Sequence, residues 1–369
     1  MITVISLFSG GGGLDLGFVN AGYKILWAID NDPNAVATYK KNIGNHIICA
    51  DITKQDVNKI PTADVVIGGP PCQSFSLAGL RKTEDARGQL VWQYMRIIEK
   101  IKPKAFVFEN VTGLLSAKNS KGERIINLLK EEFKRIGYTV ELQVMNAADY
   151  GVPQRRKRVI IVGLRGSESF VFPAPTHGAK GSGLLPYVSV KDALEDLPSP
   201  SKQVGEQLLY TKKAKTAYQK RMRKHNNKQV LGHFVSTLSE LDKYIISHVK
   251  PGGNYMDIPK DVDSKRIRRL QKEGGHTTCY GRLKPEDPSY TINTYFNRPN
   301  VGCNIHYSED RLISVREALR LQSFPDDFEV VSSSRQGTNV VIGNAVPPIL
   351  AEVIANALVA YIKKVGNND

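Results

Sequence analysis

Short apolar runs alternate with amphipathic stretches through the first half of the chain, the pattern left by strands and helices taking turns. Val4-Ile5-Ser6-Leu7, Ile25-Leu26-Trp27-Ala28-Ile29, Ile47-Ile48-Cys49, Asp64-Val65-Val66-Ile67 and Ala105-Phe106-Val107-Phe108 read as buried strands. Residues 139–145 and 159–163 give two more, and residues 33–41, 90–101 and 125–136 carry helical apolar spacing. Pro33 fits a first helical position, where its missing N–H costs nothing, with Asp32 opening that helix. The alternation predicts an α/β fold with a mostly parallel sheet, Rossmann-like in its opening strand, glycine turn and helix. Residues 173–178, with two prolines and a glycine, break regular structure and read as a linker. Beyond them the periodicity weakens until residues 353–362, an apolar helix expected to pack back on the first domain. The expected organisation is residues 1–178 as the first part of one domain, 179–336 as a smaller, irregular or β-rich domain, and 337–369 as a returning segment.

Composition narrows the function classes. At 369 residues and 41% hydrophobic, the chain can build two domains with real cores. No apolar run approaches the roughly eighteen residues of a membrane span, so no membrane partner is expected. The first eight residues read as a strand and not as a signal peptide, lacking a basic leader and a small-residue cleavage site. Cys49, Cys72, Cys279 and Cys303 form no CxxC pair and no metal-ligand spacing, which fits a reducing cytoplasm and no structural metal. A formal net charge of +15 favours an anionic partner, nucleic acid first, although excess lysine alone is often a solvated surface.

Candidate chemistry collects at the predicted strand ends. Gly68-Gly69-Pro70-Pro71-Cys72-Gln73-Ser74-Phe75-Ser76 follows one strand, and the two prolines hold Cys72 on a stiff loop. A thiol fixed there is a candidate nucleophile, against the commoner fate of a small buried hydrophobe. Phe8-Ser9-Gly10-Gly11-Gly12-Gly13 is a turn whose backbone can approach a ligand closely. Asp30, closing the second strand, is placed to accept from a ribose diol. Asp51 can accept from an adenine amino group while Ile52 packs on the ring, or it can simply cap a helix. Glu109 closes a buried strand, which is costly unless the carboxylate is paired or functional. Residues 81–87, polar and flanked by Gly79 and Gly88, read as a lid. Arg156 and Arg158 alternate with Lys157, so in an extended chain both point to one side, an arrangement that alone suggests a phosphate patch.

In this order the pieces resemble the cytosine-C5 DNA methyltransferase family of bacterial restriction–modification systems. The matching residues are Leu7–Gly13, Asp30, Asp51-Ile52, Gly69–Ser76, Glu109-Asn110-Val111, Gln154–Arg158, Arg316–Pro325 and Gly343-Asn344-Ala345-Val346-Pro347. Only residues 201–271 lie outside the match.

The resemblance implies a Rossmann-like S-adenosylmethionine-dependent methyltransferase domain with a target-recognition domain beside it. It assigns Cys72 as the nucleophile at cytosine C6, Glu109 to N3, and Arg158, supported by Arg156, to the carbonyl O2. It places the methyl donor among Phe8, Ser9, Gly10, Gly12, Gly13, Asp30, Asn31, Asp51, Ile52, Pro71, Asn344 and Val346. Substrate contacts fall on Gln73, Ser76, Arg87, Asn110, Val111, Thr291, Asn297 and Arg298. The target base must be flipped out of double-stranded DNA to reach Cys72. Two basic clusters (Lys212, Lys213, Lys215, Lys220, Arg221, Arg223, Lys224, then Lys265, Arg266, Arg268, Arg269) suggest the DNA-contacting module. The implied protein is monomeric, uses no metal, and works beside a cognate restriction endonuclease. Two other readings stay open: methylation of tRNA cytosine, and a catalytically silent DNA-binding relative, against which intact Cys72, Glu109 and Arg158 argue.

Overall fold

The computed structural model describes residues 1–71, 88–119, 121–225 and 228–365. The chain separates into two compact units of nearly equal length. The first comprises Met1–Asn146, Lys157–Ala174 and Pro348–Asp369, and the second Ala147–Arg156 and Pro175–Pro347.

Strands β1 (Thr3–Leu7), β2 (Lys24–Asp30), β3 (Ile47–Cys49), β4 (Val65–Gly68) and β5 (Ala105–Asn110) of the first unit run parallel. They are joined by β6 (Tyr138–Asn146) and β7 (Lys157–Arg165), with β7 antiparallel to both β5 and β6. The sheet order is β3-β2-β1-β4-β5-β7-β6. Helices α1 (Gly13–Asn20), α2 (Pro33–Asn42), α3 (Gly88–Ile101) and α4 (Ile125–Arg135) provide the connections. The apolar strands are buried along nearly their whole length because helices cover the sheet. Tyr94 of α3 and Phe133 of α4 pack their rings on Phe108 and Phe106 of β5, at 5.3 and 4.3 Å between centroids. β5 runs two residues past its apolar core because β7 pairs with it to the end, Glu109 opposite Ile160 and Asn110 opposite Val159.

The C-terminal helix Pro348–Val365 packs on α1. An eighteen-residue window within Arg335–Lys364 is long and apolar enough to cross a membrane, contrary to the sequence expectation. Leu350, Ile354 and Leu358, a stripe at four-residue spacing, are nevertheless fully buried inside the first unit, so this helix spends its apolar face on the core. The two helices come close at Gly17, where a Cβ would lie 2.3 Å from that of Ala351 and 2.6 Å from the Pro348 carbonyl oxygen.

The second unit is irregular, as expected, but its regular elements are helices. They are α5 (Val190–Leu194), α6 (Ala217–Met222), α7 (Glu240–His248), α8 (Lys265–Glu273), α9 (Val315–Leu321) and α10 (Arg335–Asn344). Among the described residues its strands are only two residues long, so the β-rich expectation fails. Nor is the unit markedly smaller. Buried arginines satisfy carbonyls of loops and of a helix end that no ladder pairs. Arg282 donates to the carbonyls of Val249, Ile246 and His306, and Arg316 to those of Leu231, Pro325 and Phe328. Arg320, with no exposed surface, bonds Asp326 and Asp196 at 2.6 and 2.8 Å. Arg223 departs from its expected place in a DNA-facing cluster: it is buried, stacked 3.6 Å over the Tyr210 ring and paired with Asp196.

Two outcomes follow for the first unit. Gly17→Ala forces a methyl into backbone of the C-terminal helix, and should cost roughly 1–3 kcal/mol in urea unfolding. Wild-type stability in Gly17→Ala would contradict the contact. Asp15 of α1 accepts a hydrogen bond from Tyr39 at 2.9 Å, yet complete burial pushes its carboxyl up to about 6. Folding therefore favours the protonated acid: its contribution is complete below the unfolded value and is lost as pH rises through about 6. Relative to Asp15→Asn, wild type should lose about 2 kcal/mol between pH 4 and 7, measured by denaturant titration across that range. Parallel pH profiles would refute this.

Candidate active site

The glycine turn follows β1 directly. Phe8 and Gly10 sit at φ 55° and 56°, and Gly12, at φ 89°, caps the start of α1. A side chain at Gly12 would run into Ile43, its Cβ 2.2 Å from Cδ1, whereas the space above Gly10 is open to 4 Å. Ser9 is buried and bonds the carbonyls of Ser6 and Ile29, tying the turn to the ends of β1 and β2. Asp30 braces the same turn, its Oδ2 accepting from Gly10 N at 2.8 Å and its Oδ1 from Asp32 N at 2.9 Å. Burial pushes this carboxyl up, against the backbone N–H groups that favour its charge. Asn31 is exposed beside it, while Asp32 caps α2 as the sequence suggested. Asp51 caps a short 3-10 helix, accepting from Thr53 N at 2.9 Å, and Ile52 is buried in the core against which Phe8 packs. The capping alternative for Asp51 is thus observed, with the residue still exposed to other donors.

Two positions away in sheet order lies the second cluster. Glu109, at the end of β5, accepts from Arg158 Nε at 2.8 Å, with each side chain 12% exposed. β7 runs opposite to the parallel strands, so its first residues arrive where β5 ends. That reversal makes the pair. Gly69 admits the carboxylate: a Cβ there would stand 2.6 Å from Glu109 Oε2. Asn110 is buried and donates to the Pro70 carbonyl at 2.9 Å, so it positions the proline loop, while Val111 is exposed. Pro71 is exposed at the last described position before the loop. Cys72, Gln73, Ser76 and Arg87, with the expected lid, lie outside the described residues.

The second unit holds the remaining candidates. Arg156 is fully buried, donating to the carbonyls of Ile292 and Gly343 at 3.0 and 2.8 Å. Gln154, equally buried, accepts from Ile292 N and donates to the Leu321 carbonyl. These two side chains lock the 147–156 segment onto the chain after Ser289. Gln154 entered the sequence match without a role of its own; its signal was a polar residue between a proline and a run of cations. Thr291 is exposed, its hydroxyl on the Arg155 carbonyl, and Arg298 is exposed and lies against the Tyr295 ring at 5.0 Å. Asn297 is half-buried; Asn344 is exposed at the end of α10 and Val346 buried just beyond. The sequence reading also left the centre of this unit unassigned: Glu317 of α9, buried among Arg311 and His306. Burial pushes its carboxyl up, but Arg311 and His306 hold it far below the usual range. Three charges among apolar residues in α9, Arg316, Glu317 and Arg320, were the available signal. No cluster of three metal-ligating side chains occurs among the described residues.

Residues 2–360 match the family of C-5 cytosine-specific DNA methylases. The chain is 37% identical over 351 residues to the Type II methyltransferase M.NgoFVII of Neisseria gonorrhoeae, covering 94% of this chain and 83% of that protein. It is 34% identical to the Type II methyltransferase M1.HphI of Haemophilus parahaemolyticus, over 97% of this chain and 86% of that one. Among solved structures, a prophage-encoded E. coli protein described as a DNA modification methyltransferase superposes with TM-score 0.75 at 26% identity, over 98% and 100% of the two chains. The S. pombe Dnmt2 methyltransferase shares the fold at TM-score 0.60 and 17% identity, over 99% of each chain. The chain belongs to the C-5 cytosine-specific DNA methylase family and is a DNA cytosine-C5 methyltransferase of the Type II restriction–modification kind.

Proposed function

We propose that the protein transfers a methyl group from S-adenosylmethionine to C5 of a cytosine flipped out of a specific duplex sequence, with Cys72 as nucleophile. The observation that carries this reading is the Glu109–Arg158 pair beside the Gly69-Pro70-Pro71 loop that leads into Cys72. Cytosine C5 is a poor nucleophile until a group adds at C6. The Cys72 thiolate forms the C6–S bond, and Glu109 gives a proton to N3, so the ring becomes an enamine and not an anion. Arg158 holds Glu109 in line and offers its guanidinium to the O2 carbonyl as charge shifts there. Once C5 has gained the methyl group, it loses its proton to base, the C–S bond breaks, and N3 returns its proton to Glu109. Arg156, buried on two carbonyls, is a positioning residue for the strand that starts with Lys157.

The turn at Phe8–Gly13 fits a bound nucleoside. The space over Gly10 is open, and Asp30 keeps lone pairs for a ribose diol beyond the two backbone N–H groups it accepts. When bound, S-adenosylmethionine supplies an electrophilic methyl group. Asp51 and Ile52 are the adenine-side candidates. The second unit reads the DNA in this account, and the exposed Lys265, Arg266, Arg268 and Arg269 of α8 support that role. A cognate endonuclease acting on the same sequence is the expected partner of such an enzyme.

Incubation with tritiated S-adenosylmethionine and either mixed-sequence duplex DNA or bulk tRNA tests the reading. Label in 5-methyldeoxycytidine is expected; label confined to tRNA would reject it. Cys72→Ala should abolish turnover while DNA binding persists. Glu109→Gln should lower kcat by about 10²–10⁴-fold with little change in donor affinity. Full activity in either variant would overturn the assigned chemistry.

A further inference from the structure

The second unit contains a cavity of about 190 Å³ that none of the roles above uses. Its floor is apolar, built from the buried side chains of Phe296, Ile313 and Val315. Its rim is polar: Ser333, Ser334 and Arg335 stand exposed at the start of α10. Ser334 caps that helix, its hydroxyl accepting from Gly337 N at 3.0 Å and its carbonyl from Thr338 N at 3.0 Å. The N–H groups of Arg335 and Gln336 therefore have no partner within the helix. The positive end of the helix and the Arg335 charge meet at the rim. Among the described residues, no acidic side chain lines the cavity.

A second observation, independent of the helix end, points to a ligand. Asn339, one turn further along α10, lines the cavity and is only 3% exposed, yet its Nδ2 has no hydrogen-bond partner. Buried donors are rarely left unmet, because doing so costs about 1–3 kcal/mol. An unmet NH2 asks for an acceptor. Asn297 also lines the cavity, and its buried Oδ1 lacks a hydrogen-bond partner.

We propose that this cavity seats a phosphate of the DNA backbone, with the adjoining sugar against its apolar floor. The proposal rests on the reading that the protein acts on duplex DNA. Donors without acids, a helix N-terminus and an arginine select an anion rich in acceptor oxygens. The volume, several times the ~30 Å³ share of one water, exceeds what an anion alone fills. The floor of Phe296, Ile313 and Val315 offers an isolated anion nothing, whereas a deoxyribose brings carbon to it. These features favour a backbone phosphate over a free one. Asn339 then donates to a phosphate oxygen, and Arg335 closes over it from solvent.

The test uses the full chain and a fluorescent duplex, with binding measured by anisotropy at several salt concentrations. Arg335→Gln alters an exposed side chain and spares the fold; Asn339→Asp sets a carboxylate where the phosphate would sit. Arg335→Gln should weaken binding several-fold and reduce the slope of log K against log salt by about one. Asn339→Asp should weaken it further. Unchanged affinity and slope in a folded Arg335→Gln protein would overturn the site. If inorganic phosphate raises Tm in wild type but not in Arg335→Gln, while duplex affinity is equal in both, the cavity takes a free anion and the backbone assignment fails. Wild type that binds duplex, with the slope reduced in Arg335→Gln, but transfers no methyl group would refute the catalytic reading and leave this site standing.

Discussion

The direction of one strand governs the arrangement of the first unit. In a sheet whose strands all ran parallel, the start of β7 would lie at the edge opposite to the end of β5. Because β7 runs antiparallel, Arg158 enters the sheet where Glu109 leaves it, and the two side chains meet at 2.8 Å. A carboxylate at the end of a buried strand would otherwise carry a desolvation penalty of several kcal/mol. The pair is thus a condition for having Glu109 there at all, and in the proposed reaction the same contact aims the carboxyl at the ring. Gly69 belongs to this constraint, since any side chain there would displace the carboxylate.

Charge does a different job in the second unit. With few ladder bonds among its described residues, its irregular chain still has carbonyls to satisfy in the interior. Arg156, Arg282, Arg316 and Arg320 do so with planar forks of donors that reach several oxygens each. The arrangement explains why a basic composition can mislead. Arg156, Arg223, Arg316 and Arg320 count towards the net charge of +15 but are buried and face no partner. The cations left at the surface include those of α8 and the exposed lysines around α6.

Much of the first unit was legible because its strands are apolar on both faces and its helices amphipathic. The order of β1 to β5, the Asp32 cap and the placing of Glu109 at a strand end all follow from that pattern. What the pattern could not supply was the reach of β5 to Asn110, which depends on pairing with a strand fifty residues later in the chain. The second unit was far less readable, since its elements are short and buried arginines stand in for ladders. Residues such as Gln154 and Asn339 look unremarkable in sequence; their meaning comes from being enclosed. Arg223 shows the converse, a cation in an apparently exposed run that the fold takes inside.

Covalent addition by Cys72 can be trapped with a substituted substrate. Duplex DNA in which cytosine carries fluorine at C5 can undergo thiolate addition and methyl transfer. It cannot complete elimination, because fluorine does not leave as a cation. With S-adenosylmethionine present, a denaturation-resistant protein–DNA adduct is expected whose cross-linked peptide contains Cys72. An adduct mapped to Cys49, Cys279 or Cys303, or no adduct from an enzyme that methylates the unsubstituted duplex, would contradict it.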